Sequence, residues 1–145
     1  MATAKDVLSR KKTAGVITVL PDCTVRDACR VMRDRRIGAV LVADGEVLHG
    51  MFTERDVMNL VVAEGRDPAA TNVAEVMTPK VIAVRSDRSL EEVEAIMRQE
   101  RVRHVPVTDE SGLVGMISIG DVNAFNAAED HQAVEYLNQY IQGRA

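Results

Sequence analysis

The chain has 145 residues, 46% of them hydrophobic and 28% charged, with a formal net charge of −4 and a pI near 5.4. That length suits one compact domain, or two small halves sharing a core, and needs no disulfide or metal staple. The acidic balance and the scarcity of aromatics (two Phe, two Tyr, no Trp) argue against a nucleic-acid footprint, and the longest apolar run, IGAVLVA at 37–43, is too short to span a membrane.

The opening MATAKDVLSRKK has no separate apolar stretch with a small-residue cleavage site, and its AKDVL reads as a short helical turn. The first strand is expected at VITV, 16–19. Thr24 followed by Asp27 then has the form of a helix N-terminus, and Val25, Ala28, Cys29 and Met32 recur at helical spacing. IGAVLVAD reads as a buried strand, Asp44-Gly45-Glu46 as a turn, VLHGMFT as a third strand and ERDVMNLVVAEG as a second helix. GRDPAATN at 65–72 is a polar connector, after which VAEVM forms another short turn.

The same order then recurs. Strand VIAV leads to a helix opened by Ser89 and Glu92 with Leu90, Val93, Ile96 and Met97 on one face. Strand VRHVPVTD, a turn at 109–112, strand LVGMISI and helix GDVNAFNAA follow. Sliding the chain by 65 residues aligns 16–57 with 81–122 without a gap, and 15 of those 42 positions are identical. Chance would leave only a few, so internal duplication organises the chain. The expected segments are a first repeat at 1–64, a linker at 65–72, a second repeat at 73–125 and a helical tail at 126–145. In the tail Val134, Leu137 and Ile141 form an apolar stripe.

Each copy closes on one octet, GMFTERDV at 50–57 and GMISIGDV at 115–122. A hydroxyl residue three positions before an Asp, at a strand-to-helix junction, is a capping box, in which each side chain satisfies an orphan amide of the other. Such a cap contributes about 0.5–2 kcal/mol. The same geometry offers free N–H groups and a positive dipole end to a phosphate, and a carboxylate to a ribose diol. The two duties are compatible.

The doubled β-α-β-β-α pattern, each copy ending Gly-apolar-apolar-[Thr/Ser]-x-x-Asp, resembles a tandem pair of cystathionine-β-synthase (CBS) domains, a Bateman module. EVMTPKVIAV, RRIGAVLV and RVRHVPVTD match it further, and the likeness covers about residues 5–125. The resemblance implies an α/β (α+β) fold of two CBS repeats packed sheet to sheet about a pseudo-twofold axis. It implies a non-catalytic regulatory module binding an adenosine-containing ligand (AMP, ADP, ATP, NAD(H) or S-adenosylmethionine) in clefts between the repeats. Carried over position by position, the first site would comprise Val16, Ile17, Thr18, Ile37, Gly38, Ala39, Thr53, Arg55 and Asp56. The second would comprise Val81, Ile82, Ala83, Val102, Arg103, His104, Pro106, Ser118 and Asp121. Adenine would lie in the strand-edge slot, ribose on the Asp and phosphate near the hydroxyl. Arg55 against Gly120, and Gly38-Ala39 against Arg103-His104, make the two sites unequal, with Arg55, Arg103 and His104 as candidates to neutralise phosphate.

The remaining candidates are weaker. Met32, Met51, Met97 and Met116 fall at core positions, and Cys23 and Cys29 have no neighbouring His or Cys cluster, so no metal is expected. Two cysteines are also too few for a disulfide framework, which fits a cytoplasmic setting. No Ser-His-Asp, Cys-His or Walker-type arrangement supports the rival reading of a nucleotide-acting enzyme; a third reading is an interaction module with empty clefts. The first long helix carries Arg26, Arg30, Arg33, Arg35 and Arg36, and its counterpart Glu91, Glu92, Glu94 and Glu100. With Asp27 and Asp34 among the first set and Arg98 and Arg101 among the second, solvated faces account for these charges; the alternative is that they meet across a head-to-tail homodimer. The partners that the resemblance implies are an adenosine-containing small molecule, a second copy and an unidentified regulated protein.

Overall fold

In the computed structural model the described residues are 1–11, 15–45 and 47–143. The turn expected at Asp44-Gly45-Glu46 therefore lies partly outside them. The elements run α1 (Ala4–Ser9), β1 (Thr18–Val19), α2 (Val25–Arg35), β2 (Ala39–Asp44), β3 (Val47–Thr53) and α3 (Glu54–Asp56). A π-helix continues α3 over Val57–Val62. Then come α4 (Val73–Val76), β4 (Val84–Arg85), α5 (Leu90–Glu100), β5 (His104–Asp109), β6 (Gly112–Ser118) and α6 (Ile119–Gly143). The fold is mixed α/β with two three-stranded sheets, ordered β1-β2-β3 and β4-β5-β6.

The duplication extends to backbone irregularities. Each sheet has one parallel and one antiparallel pairing, and each antiparallel pairing carries a register shift, at Val42/Ala43 and at Val107/Thr108, the same 65 residues apart. α2 and α5 both open on a hydroxyl N-cap, Thr24 Oγ1 accepting from Asp27 N at 3.1 Å and Ser89 Oγ from Glu92 N at 3.2 Å. Both close on an arginine in the left-handed region, Arg36 and Arg101, each with φ of 55°. The amides of Ile37 and Val102 then return to the carbonyls of Met32 and Met97, a Schellman closure.

The outer strands are shorter than the apolar runs that predict them. In the first sheet the Leu41 amide donates to the Ile17 carbonyl at 3.1 Å, carrying the pairing back toward the expected start. Pro106 occupies the corresponding place in β5 and has no N–H to give, so β4 begins one repeat position later than β1.

By packing, the chain divides into Gly15–Ile82 and a second unit made of Met1–Ala14 with Ala83–Ala145. The packing units are thus not the contiguous sequence repeats, because each unit takes the opening helix of the other repeat. In one unit Ala4 and Val7 of α1 join Val84, Val93, Val105, Val107, Ile117, Val122 and Phe125 in the core. In the other, Val73 and Val76 of α4 join Val25, Ala28, Met32, Val40, Val42, Phe52 and Val61. A copy of about 55 residues has little apolar surface to bury, and the borrowed helix enlarges its core.

The exchanged helices dock against the glycines of the octets. A methyl group on Gly50 would stand 2.5 Å from the Thr78 carbonyl oxygen, and one on Gly115 2.7 Å from a Leu8 methyl. Met51 and Thr78 exchange backbone hydrogen bonds of 2.9 Å alongside. The close approach that glycine permits here is made by the chain itself.

The repeats part company after their closing Asp. In α6, Val122 and Phe125 are buried at ordinary helical spacing, whereas in the first repeat Val61 is buried and Leu60, the 65-residue counterpart of Phe125, is 40% exposed. The π-turn widens the helix, as in the 2.9 Å bond from Ala63 N to Met58 O, and advances the core-facing position by one residue. The tail expected as a helix is continuous with α6, and its Val134, Leu137, Tyr140 and Ile141 are exposed. Among the described residues no helix is long and apolar enough to cross a membrane.

Candidate functional site

Each octet forms the strand-to-helix junction that its spelling predicts. At the first, Thr53 N donates to Asp56 Oδ2 at 2.9 Å and Asp56 N to Thr53 Oγ1 at 3.2 Å. At the second, Ser118 N donates to Asp121 Oδ2 at 2.8 Å and Asp121 N to Ser118 Oγ at 3.1 Å. The capping duty is therefore realised in both copies, with all four groups only half-buried and accessible to a small molecule.

The sheet register sets the strand-edge residues beside these junctions. Ala39 pairs with Thr53, and Glu54 N donates to the Gly38 carbonyl at 3.0 Å. In the other copy His104 pairs with Ser118, and Ile119 N donates to the Arg103 carbonyl at 2.8 Å. Gly38, Ala39, Thr53 and Asp56 thus form one local group, and Arg103, His104, Ser118 and Asp121 another. Ile37 and Val102 follow immediately after the two left-handed arginines and are half-buried, whereas Arg55 and Arg103 are exposed. Val16 and Ile17 are half-buried and Thr18 is exposed at the start of β1; Pro106 is buried within β5. Val81 and Ile82 are half-buried and Ala83 is exposed, and the division between packing units falls between Ile82 and Ala83.

A cleft of about 560 Å³ opens at the C-terminal end of α2, lined by Cys29, Met32, Arg33, Arg36, Ile37, Gly38, Glu54 and Val57. It shares only Ile37 and Gly38 with the first expected site and adds two arginines and a carboxylate that the repeat pattern does not single out.

Electrostatics separate two junctions that hydrogen bonding makes alike. Burial raises the Asp56 carboxyl above the usual range, and the Thr53 amide and the Thr53 and Thr78 hydroxyls only partly counter it. Burial acts on Asp121 as well, but the Ser118 amide and the Lys11 ammonium outweigh it and hold that carboxyl below the usual range. Lys11 Nζ lies 2.9 Å from Asp121 Oδ2 and 2.6 Å from the Met116 carbonyl oxygen.

Lys11 and Thr78 are the site residues that the octet comparison misses. Their signal lies in the capping boxes of the opening helices, Thr3 with Asp6 and Asn72 with Glu75, which stand 69 residues apart rather than 65. On that offset Ser9 matches Thr78 and Lys11 matches Lys80. The first copy carries four additional residues before its strand, and a constant 65-residue shift hides the match.

The donors collected here are one hydroxyl, one carboxylate and a few helix-end amides per junction. They suit the holding of a polyol or an anion. Burial raises the Cys23 and Cys29 thiols, which removes thiolate character. Among the described residues no group of three or more His, Cys, Asp or Glu is placed to hold a metal ion.

Comparison with known proteins agrees with this architecture. The family model described as CBS domain matches residues 4–63 and again 73–125. The chain is 35% identical over 122 residues to the CBS domain-containing protein YhcV of Bacillus subtilis, covering 84% of each. It is 40% identical to a protein with CBS domains from Burkholderia ambifaria, whose structure superposes with a TM-score of 0.84 over 88% of this chain and 95% of that one. A more distant CBS domain pair, solved in complex with 5′-methylthioadenosine and S-adenosyl-L-methionine, has the same fold at 22% identity, with a TM-score of 0.76 over 89% and 98% of the two chains. With two matched domains, two like sheets and the closing octet of each in the same capped form, the chain belongs to the CBS-domain family as a CBS-domain pair.

Proposed function

We propose that this CBS pair is a non-catalytic sensor of an adenosine-containing ligand, drawn from AMP, ADP, ATP, NAD(H) and S-adenosylmethionine. The observation that carries the reading is the doubled junction, in which a hydroxyl, a carboxylate and helix-end amides stand beside a strand edge in both repeats. The carboxylate would take the ribose diol, the hydroxyl and amides a phosphate, and the strand edges at Ile37–Ala39 and Val102–His104 the purine. The related domain pair solved with two adenosine compounds lends support.

The signal would be a change in conformation or in dimer packing that biases a regulated protein. A head-to-tail homodimer is favoured by charge, since Arg26, Arg30 and Arg33 are exposed on α2 and Glu91, Glu92 and Glu100 on α5. The acidic chain fits a cytoplasmic small-molecule sensor better than a partner of nucleic acid.

Thermal unfolding with each of the five compounds, NAD in both redox forms, tests the reading. A ligand at 100 times its Kd adds about 2.7 kcal/mol to stability, a shift of several degrees in a chain of this size. Asp56→Asn and Asp121→Asn should each reduce the shift. No shift with any compound would defeat the proposal.

A further inference from the structure

Lys11 belongs to neither octet, yet its ammonium sits at the second junction. Its side chain is 22% exposed and that of Asp121 24%. Asp121 Oδ2 accepts from the Ser118 amide and lies 2.9 Å from Lys11 Nζ. The carboxylate on which a ribose diol would close is thus engaged, before any ligand arrives, by a cation from the segment after α1. At the first junction the corresponding segment, after α4, brings the neutral Thr78 hydroxyl to lower the Asp56 carboxyl only in part, and Asp56 has no ion pair among the described residues like that of Asp121 with Lys11. The contrast arises from the unequal spacing of the opening segments and is independent of Arg55 and Gly120.

Its consequence for binding follows from charge. A neutral diol that takes Asp121 breaks a half-buried ion pair and leaves the ammonium with the Met116 carbonyl. A ligand that also carries a phosphate returns an anion to Lys11 through its flexible stem, beside the amides and hydroxyl of the junction. The first junction imposes no such exchange.

We propose that Lys11 is an ionic latch on Asp121 that makes the second junction select phosphorylated adenosine ligands over the unphosphorylated nucleoside. The proposal rests on the adenosine-ligand reading above and adds the class of ligand for one of its two sites.

Nuclear magnetic resonance titration of the full chain with AMP and with adenosine tests it, the Thr53 and Asp56 amides following the first junction and the Ser118 and Asp121 amides the second. The preference for AMP is expected to be larger at the second junction. Lys11→Met should reduce it there by roughly tenfold or more, the size of one charge-assisted hydrogen bond, through tighter adenosine and weaker AMP binding. Lys11→Arg should preserve it, and the first junction should not respond to either change. An unchanged preference in Lys11→Met, with both compounds still bound, overturns the latch alone. Amides unmoved by either compound in the unaltered chain also overturn the latch, whereas the broader adenosine-ligand reading falls only if none of its five compounds shifts the melt. A ligand-free measurement reads the latch directly, because Lys11→Met should raise the Asp121 carboxyl titration and leave Asp56 unmoved.

Discussion

Asp56 and Asp121 occupy the same position of a repeated motif and make the same two bonds to their capping partners, yet their surroundings shift the two carboxyls in opposite directions from the usual range. Asp121 is held low, so its contribution to stability is present above its unfolded value and is lost as pH falls below about 4. Asp56 is raised, so the folded state favours its protonated form, and that contribution is lost as pH rises through the raised value. At neutral pH, Asp121→Asn should destabilise the protein by about 1–2 kcal/mol, because a half-buried ammonium loses its counter-ion. Asp56→Asn keeps an acceptor for the Thr53 amide and should cost less than half as much. Denaturant unfolding at pH 7 and pH 3 checks both signs, since the Asp121→Asn deficit should shrink in acid while the Asp56→Asn variant loses ground. Gly50 and Gly115 form a second unequal pair. Gly50→Ala meets a backbone carbonyl and should cost more than about 1 kcal/mol, whereas Gly115→Ala meets a leucine side chain that can turn away. A lower melting temperature for the Gly50 variant than for the Gly115 variant is the expected result.

At the scale of elements, the sequence was most informative where one local rule acted alone. Thr24 and Ser89 cap their helices and the two octets form their boxes, because a hydroxyl at a helix start competes with little else. It was least informative where a second chain segment intervened. The full length of VIAV is not a strand, since Pro106 withholds a donor from its neighbour, and no periodicity within either run contains that fact. The slip at Leu60 was equally hidden, because the π-turn places Val61 where the repeat comparison points to the equivalent of Phe125. The left-handed arginines show the converse. Their strain is set by the Schellman closure rather than by the residue, and a non-glycine residue there costs about 1 kcal/mol or more. Arg36→Gly and Arg101→Gly should each raise stability by about 0.5–1 kcal/mol after the larger entropy of unfolded glycine is included, a gain measurable by chemical denaturation. Of the candidate site, the hydroxyl and carboxylate were legible from repetition. Lys11 and Thr78 were not, because the segments that carry them obey a different offset and reach the junctions through exchanged helices.

For the whole molecule, repeat boundaries and packing boundaries give different answers about which piece of chain can stand alone. A fragment spanning residues 15–82 contains every core residue of its unit, including Val73 and Val76 of α4. A fragment spanning 1–64, although it holds the complete first repeat, lacks those two valines and exposes Ala4 and Val7. Circular dichroism and amide exchange should find the first fragment cooperatively folded and the second unfolded or associated. Like behaviour of the two would mean that the exchanged helices contribute little.

The exchange also sets an order on synthesis. A ribosome releases the chain from the amino end, and domains form as units once their last residue has emerged. Residues 15–82 can close while the second repeat is still being made. The opening helix α1 has no partner until β4, α5, β5 and β6 follow it, so Lys11 is made before residues 15–82 and placed after them. The first junction can therefore be assembled while β5 and β6 are still being made, and the latched one only after β6 and the start of α6 have followed.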